Sequence, residues 1–342
     1  MRLGAFLVGL DDDFLRFLQQ YGVTDVVGGF PSVPNYTKKF PLDAGDQLGC
    51  HWEYEELVQL RERIEAFGMT LSSMENPHPA WCFDQVQLGL PGRDQQLENL
   101  SITIRNMGRA GIPYMGYNWM VNPAGLWRFS TRTSTTYPAR GGAQTDHLNM
   151  DELDNAPLFR DREYGAEEMW ENYEYFVRTI VPVLEEAGVR MGVHPDDPPV
   201  PSLGGIARIF NSPENYQRAM DLTDSPTSGI NLCLGNWTAM GTDILASVRQ
   251  FGEQGRILYG HAQGVQGTVP NFKECFLDEA DCDYFEIVRA FNELDLDTFL
   301  LVSHLPRTVN DGPPQFQGHA FAMGFMAGII KAANSAGADK DI

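Results

Sequence analysis

The chain has 342 residues, 43% hydrophobic and 21% charged, with 34 Gly and 21 Pro, which excludes disordered and collagen-like chains and permits one large core. Asp and Glu number 46 against 25 Lys and Arg, a formal charge of −21, and a surface that negative repels nucleic acid and anionic lipid, excluding both as partners. The five cysteines, Cys50, Cys82, Cys233, Cys275 and Cys282, are odd in number and form no CxxC pair, which argues against a disulfide framework or zinc ribbon and for a reducing cytoplasm.

From the N-terminus, a short apolar run soon meets Asp11-Asp12-Asp13, which no secretory signal tolerates in its apolar region. No stretch approaches the roughly 18 apolar residues needed to span a bilayer. Short, nearly all-apolar runs predict strands over Gly4–Gly9, Val23–Gly28, Thr70–Met74, Ile112–Tyr117, Arg190–His194, Gly229–Leu234, Ile257–His261 and Thr298–Ser303, the pattern of strands covered on both faces. Between them lie helical periods. Tyr54–Phe67 places Leu57, Leu60, Ile64 and Phe67 on one face, and Trp170–Ala187 does the same with Tyr173, Phe176, Ile180 and Leu184; both end at a glycine, Gly68 or Gly188. Strand and helix alternating eight times predict a single α/β domain, a (β/α)8 TIM barrel over 1–342, with an open doubly wound sheet as the alternative. Two stretches break the rhythm, Pro31–Trp52 and the polar Asn122–Glu167. Each follows a predicted strand, so each is a long βα loop on the face where barrel enzymes place their sites, serving as a lid or wall, or as a subunit contact in a homo-oligomer. Asn334–Ile342 reads as a flexible tail.

Polar residues at the C-terminal ends of the predicted strands carry the chemical signal: Glu75, Asn118, His194, Cys233, His261 and His304. On strands five to seven the strand-end residue is His, Cys, His. Two imidazoles and a thiolate bind Mn2+, Fe2+, Co2+ or Zn2+, and three protein ligands leave coordination positions open for substrate or water. His194 opens His194-Pro195-Asp196-Asp197-Pro198-Pro199, where prolines stiffen a turn and hold two carboxylates beside the imidazole, suited to orienting a ligand or binding sugar hydroxyls. Trp81, Trp119, Trp127 and Trp237 are candidates for stacking on a sugar face or an aromatic aglycone, although large aromatics more often serve as core or wall.

These segments, with Leu88-Gly89-Leu90-Pro91-Gly92-Arg93-Asp94, Ile104-Arg105-Asn106-Met107-Gly108-Arg109-Ala110-Gly111-Ile112 and Tyr117-Asn118-Trp119-Met120, resemble the mannonate dehydratase family from near the start to about Ala333. The resemblance implies a xylose-isomerase-like barrel that uses Mn2+ or a similar ion to dehydrate a sugar acid to its 2-keto-3-deoxy product. It places the metal ligands on His194, Cys233 and His261 and a proton-transfer role on His304. It also shows departures. Ser303-His304 stands where the family has Asp-His, with Asp a fourth ligand; His261-Ala262-Gln263 stands where it has His-x-Arg; and Gly318-His319-Ala320-Phe321 stands where a Tyr is expected. His319 is then a candidate for the Tyr role, Arg307 for the lost positive charge, and Glu75, Asn118, Trp119 and Asp196 for substrate binding. The departures keep two alternatives open: an isomerase, epimerase or β-eliminating lyase acting on a carbonyl sugar or glycoside, and a non-catalytic sugar-acid binder.

Overall fold

The computed structural model describes residues 1–29, 50–121, 132–153 and 157–338. In chain order the elements are β1 (Arg2–Phe6), α1 (Asp12–Gln20), β2 (Asp25–Gly29), α2 (Tyr54–Glu65), β3 (Thr70–Glu75), α3 (Asp84–Leu88), α4 (Arg93–Arg109) and β4 (Tyr114–Asn118). There follow β5 (Ser134–Pro138), β6 (Gln144–Asn149), α5 (Ala166–Ala187), β7 (Arg190–His194), β8 (Ser202–Leu203), β9 (Ile206–Ala207), α6 (Pro213–Met220) and β10 (Ser228–Cys233). The chain continues through α7 (Leu234–Ala239), α8 (Ile244–Glu253), β11 (Ile257–Ala262), β12 (Val265–Thr268), β13 (Asn271–Glu274), α9 (Tyr284–Glu293), β14 (Phe299–Val302) and α10 (Phe316–Ala338).

Eight of the strands pair in parallel and close on themselves in the order β1-β14-β11-β10-β7-β4-β3-β2, the (β/α)8 cylinder. Its interior is filled by Val27, Leu258, Tyr259, Phe299 and Leu301, with Phe6 and Tyr114 packed against them. The larger core lies between cylinder and helices, where α2 buries Leu57, Leu60 and Ile64, and α5 buries Tyr173, Phe176, Ile180 and Leu184. Helix starts are set by local acids. Asp11 accepts from the Phe14 N–H at 2.9 Å, and Glu53 and Glu56 form a reciprocal capping box at α2, each cap satisfying donors that a helix leaves bare.

The strand ends differ from their predicted positions for local reasons. β1 spans Arg2–Phe6, two residues earlier than expected, because the Arg2 N–H donates to Thr298 O and its guanidinium reaches Asp25 at 2.9 Å. β4 begins at Tyr114 because Pro113 has no N–H to give the ladder, although its carbonyl still accepts from Arg190. α5 starts at Ala166, four residues before the expected Trp170, with Glu167 and Glu168 in its first turn. At the C-terminal end α10 runs to Ala338, and Asn334 Oδ1 accepts from Asn292 of α9 at 2.9 Å. Residues 339–342 lie outside the described residues.

Most of the first interrupting loop, 30–49, is also outside them. The described part of the second, from residue 132 on, carries regular structure. β5 and β6 form an antiparallel hairpin that joins β13 and β12 in a four-stranded sheet of order β12-β13-β6-β5. This cap has its own apolar cluster of Leu148, Val200, Leu203, Ala239, Val265 and Phe272.

Candidate active site at the strand ends

His194 ends β7, Cys233 ends β10, and His261 sits one residue before the end of β11. These are neighbouring strands, with Cys233 registered opposite His261. One ligand atom from each of the three lies within 4.8 Å of the others, and all three side chains are buried. The two imidazole centroids are 5.0 Å apart, and Phe6 stands edge-on to His261 at 5.1 Å. Two nitrogens and a sulfur at this spacing can share a single divalent ion of ordinary radius. The thiol fits such an ion chemically. Burial pushes Cys233 well above its usual range, and a cation placed between the imidazoles would draw that proton off.

Behind the triad, Glu75 at the end of β3 spans the mouth. Its Oε2 accepts from Tyr259 Oη at 2.7 Å and Asn231 Nδ2 at 2.8 Å, and faces His261 Nε2 at 3.1 Å. Burial opposes its ionisation, but His261, His194 and the Tyr259 hydroxyl outweigh that and hold the carboxyl at about 2. Gly116 on β4 makes room for this contact, because a Cβ there would lie 2.0 Å from Tyr259 Oη and 2.8 Å from Glu75 Cγ. Burial and the charge of His261 lower His194 to about 4, against the pull of Glu75.

A second cluster joins the barrel to the cap. Arg132, just before β5, places Nη1 2.6 Å from Asp197 Oδ1 and Nη2 2.5 Å from Glu274 Oε1. Gln263 bridges the clusters, accepting from the Cys233 thiol at 2.9 Å and donating to Glu274 at 3.1 Å. His304 Nδ1 meets Glu274 Oε1 at 2.8 Å. Burial resists charge on His304, but Glu274 more than offsets it and raises the imidazole above its ordinary value. Glu274 is held at about 2: burial opposes its ionisation, and Arg132 and His304 overcome it.

The remaining candidates divide. Asn118 at the end of β4 is registered beside His194, and its N–H donates to Asn76 Oδ1 at 3.1 Å. Trp119, expected to touch substrate, is instead 2% exposed and packed against Phe83, Tyr173 and Phe176, because its indole completes an apolar cluster under the α3 segment. Trp237 is likewise core, against Tyr216 and Phe251; Trp127 lies outside the described residues. Asp196 is turned toward its own loop: Oδ2 accepts the Phe210 N–H at 2.7 Å, Oδ1 lies 3.7 Å from Arg208, and burial raises the carboxyl to about 6. Arg307 does not supply a free cation. It is bound to Asp146 at 2.7 Å and to Thr135 O, and exchanges backbone hydrogen bonds with Gln144, so it stitches the β5–β6 hairpin to the loop after β14. His319 Nδ1 donates to the Gln315 carbonyl oxygen at 2.9 Å and the ring stands edge-on to Phe14 of α1, and among the described residues no contact joins it to the triad. The sequence reading missed Arg132 and Glu274, whose partners lie 65 and 142 residues from Arg132, and Asn231 and Tyr259, which read as strand interior.

A closed parallel barrel carrying imidazole, thiol and imidazole donors on successive strand ends defines an enzyme of the xylose-isomerase-like TIM-barrel class. An L-ribulose 3-epimerase structure shares the fold, with TM-score 0.61 and 12% identity over 100% of this chain and 98% of that one. The chain belongs to the D-mannonate dehydratase (UxuA) family, whose profile matches residues 11–164 and 157–339, and is thereby a hydro-lyase. The mannonate dehydratase of Thermotoga maritima is 30% identical over 321 residues, covering 83% of this chain and 82% of that protein. The crystal structure of mannonate dehydratase from Streptococcus suis serotype 2 superposes with TM-score 0.83 at 26% identity, covering 98% of this chain and 96% of that one. No helix among the described residues is long and apolar enough to cross a membrane.

Proposed function

We propose that this enzyme dehydrates a sugar acid of the mannonate type, D-mannonate to 2-keto-3-deoxy-D-gluconate or a close relative, with a divalent ion held by His194, Cys233 and His261. Mn2+ is the ion that the family resemblance implies, with Fe2+, Co2+ and Zn2+ as alternatives. The observation that carries the reading is the convergence of those three donor atoms within 4.8 Å at the barrel mouth. A cation held there supplies Lewis-acid stabilisation of the charge that develops when the proton α to a carboxylate is removed. The protein's part is proton handling. The C2 proton and the C3 hydroxyl leave as one water, and the enol that remains becomes the 2-keto-3-deoxy acid. His304, raised by its carboxylate partner, is the group that carries a proton between substrate carbons and oxygen. Its backbone φ of 51° places it in the left-handed region, where a non-glycine residue costs ~1–3 kcal/mol and is held by its surroundings. Ser303, in place of a carboxylate ligand, leaves three protein donors, so the ion should bind more weakly than in a four-ligand site.

Incubating the Mn2+-loaded protein with D-mannonate should yield a 2-keto-3-deoxy acid; no product from metal-replete protein removes this substrate. A second reading, isomerisation, epimerisation or β-elimination on a carbonyl sugar, is favoured by one observation. Gln263 stands where the resemblance places an arginine, and Arg132 and Arg307 are each already bound to a carboxylate, so of these cations only Arg208, 3.7 Å from Asp196 and with its guanidinium nitrogens not hydrogen-bonded among the described residues, is left to meet a substrate carboxylate.

A further inference from the structure

Four donors converge on Oε1 of Glu274: Arg132 Nε and Nη2 at 3.1 and 2.5 Å, Gln263 Nε2 at 3.1 Å and His304 Nδ1 at 2.8 Å. An oxygen that accepts from a guanidinium and an amide belongs to an ionised carboxylate, which has no proton to give. His304 Nδ1 therefore donates. That fixes the Nδ1–H tautomer of the neutral ring and leaves Nε2 as the bare acceptor, and among the described residues Nε2 has no hydrogen-bond partner. The imidazole is 34% exposed whereas the Glu274 side chain is 3% exposed, so the ring has room to swing and the carboxylate does not. Glu274 belongs to β13 of the cap, not to the barrel wall.

We propose that Glu274 is the positioning residue of the site: it locks the His304 ring and tautomer so that Nε2 faces the substrate, with Arg132 and Gln263 holding the carboxylate in place. This rests on the reading that His304 transfers the proton. The charged groups facing His304 are Glu274 from β13, Asp197 from the turn after β7 and Arg132 from the segment before β5; Asp146 of β6 faces Glu274 in turn.

The test uses the protein loaded with one equivalent of Zn2+, a diamagnetic ion, and 15N-histidine NMR with His304 assigned by its absence in His304→Asn. In the wild type the deprotonated His304 ring should carry its proton on Nδ1, and an Nε2–H tautomer overturns the proposal. Glu274→Gln should lower the His304 titration by ~1 pH unit and kcat on D-mannonate by ~10–100-fold. It should leave KM within about twofold and bound Zn2+ unchanged, and move the His304 limb of the pH–rate profile to lower pH. Glu274→Asp should recover part of the rate. An unchanged titration and kcat, or a fall in kcat matched by loss of Zn2+, overturns it. If Glu274→Gln shifts the titration while His304→Asn turns over substrate like the wild type, the positioning stands and the proton-transfer reading of His304 falls.

Discussion

The barrel wall and the antiparallel cap both deliver polar side chains to the mouth, but they hold them by different forces. His194, Cys233 and His261 stand on strands whose backbones are locked into a closed ladder, so their separation is set by strand spacing. His304 is held by Glu274, itself held by Arg132 across 142 residues of chain, so its position is set by charge. On the proposed function, the half of the site that would hold the ion is thus built from backbone geometry and the half that would move the proton from electrostatics. Substitutions should separate the two.

The largest effect tests whether the halves are distinct. Cys233→Ala and His194→Ala should each abolish Mn2+ binding, measured by metal analysis after gel filtration, and with it all measurable turnover. His304→Asn should cost ~10²–10⁴-fold in kcat with metal retained; if it also strips the metal, His304 is a ligand and the division fails. Next comes the electrostatic half itself. Arg132→Met leaves Asp197 and Glu274 buried without their cation and should destabilise the fold by ~3–5 kcal/mol in chemical denaturation. The exposed Arg140–Asp278 pair is the control, and Arg140→Ala should cost less than ~1 kcal/mol. Glu274 is depressed to about 2 in the folded protein, so the stability it contributes is present above its ordinary carboxylate value and is lost as pH falls toward 2. Arg132→Met should flatten that acid-side slope. The smallest effect probes the wall: Gly116→Ala puts a methyl against Tyr259 Oη and Glu75 Cγ and should cost ~1–3 kcal/mol in chemical denaturation, and no cost would show that the strand shifts to make room.

The same contrast explains what could be read from the sequence. Wall strands announce themselves as apolar runs, and the strand-end positions of His194, Cys233 and His261 followed once the runs were placed. Errors of two residues, as at β1 and β4, came from single contacts, an Arg2–Asp25 pair and a proline without an N–H, that no periodicity encodes. The cap was not legible. Asn271-Phe272-Lys273-Glu274 alternates like an exposed hairpin, and nothing local shows that Glu274 is buried beneath a guanidinium and an imidazole. Trp119 failed the other way: an aromatic beside a strand end suits sugar stacking, but the partners that draw it inward, Tyr173 and Phe176, lie on a helix more than 50 residues later. Arg307 looked like a spare cation because its partner Asp146 sits in the loop that gave no periodic signal.

The seam of the cylinder has a consequence for synthesis. β1 pairs with β14, Arg2 opposite Phe299, so the first strand to leave the ribosome waits for the last before its outer edge is covered. Until then the growing sheet is an open ribbon with two bare margins, the state in which parallel sheets are most apt to join a neighbour's chain. Chaperone demand and refolding yield should therefore hinge on Phe299–Val302, far from the chemistry. A circular permutant that makes β14 and β1 neighbours in sequence should fold with fewer losses.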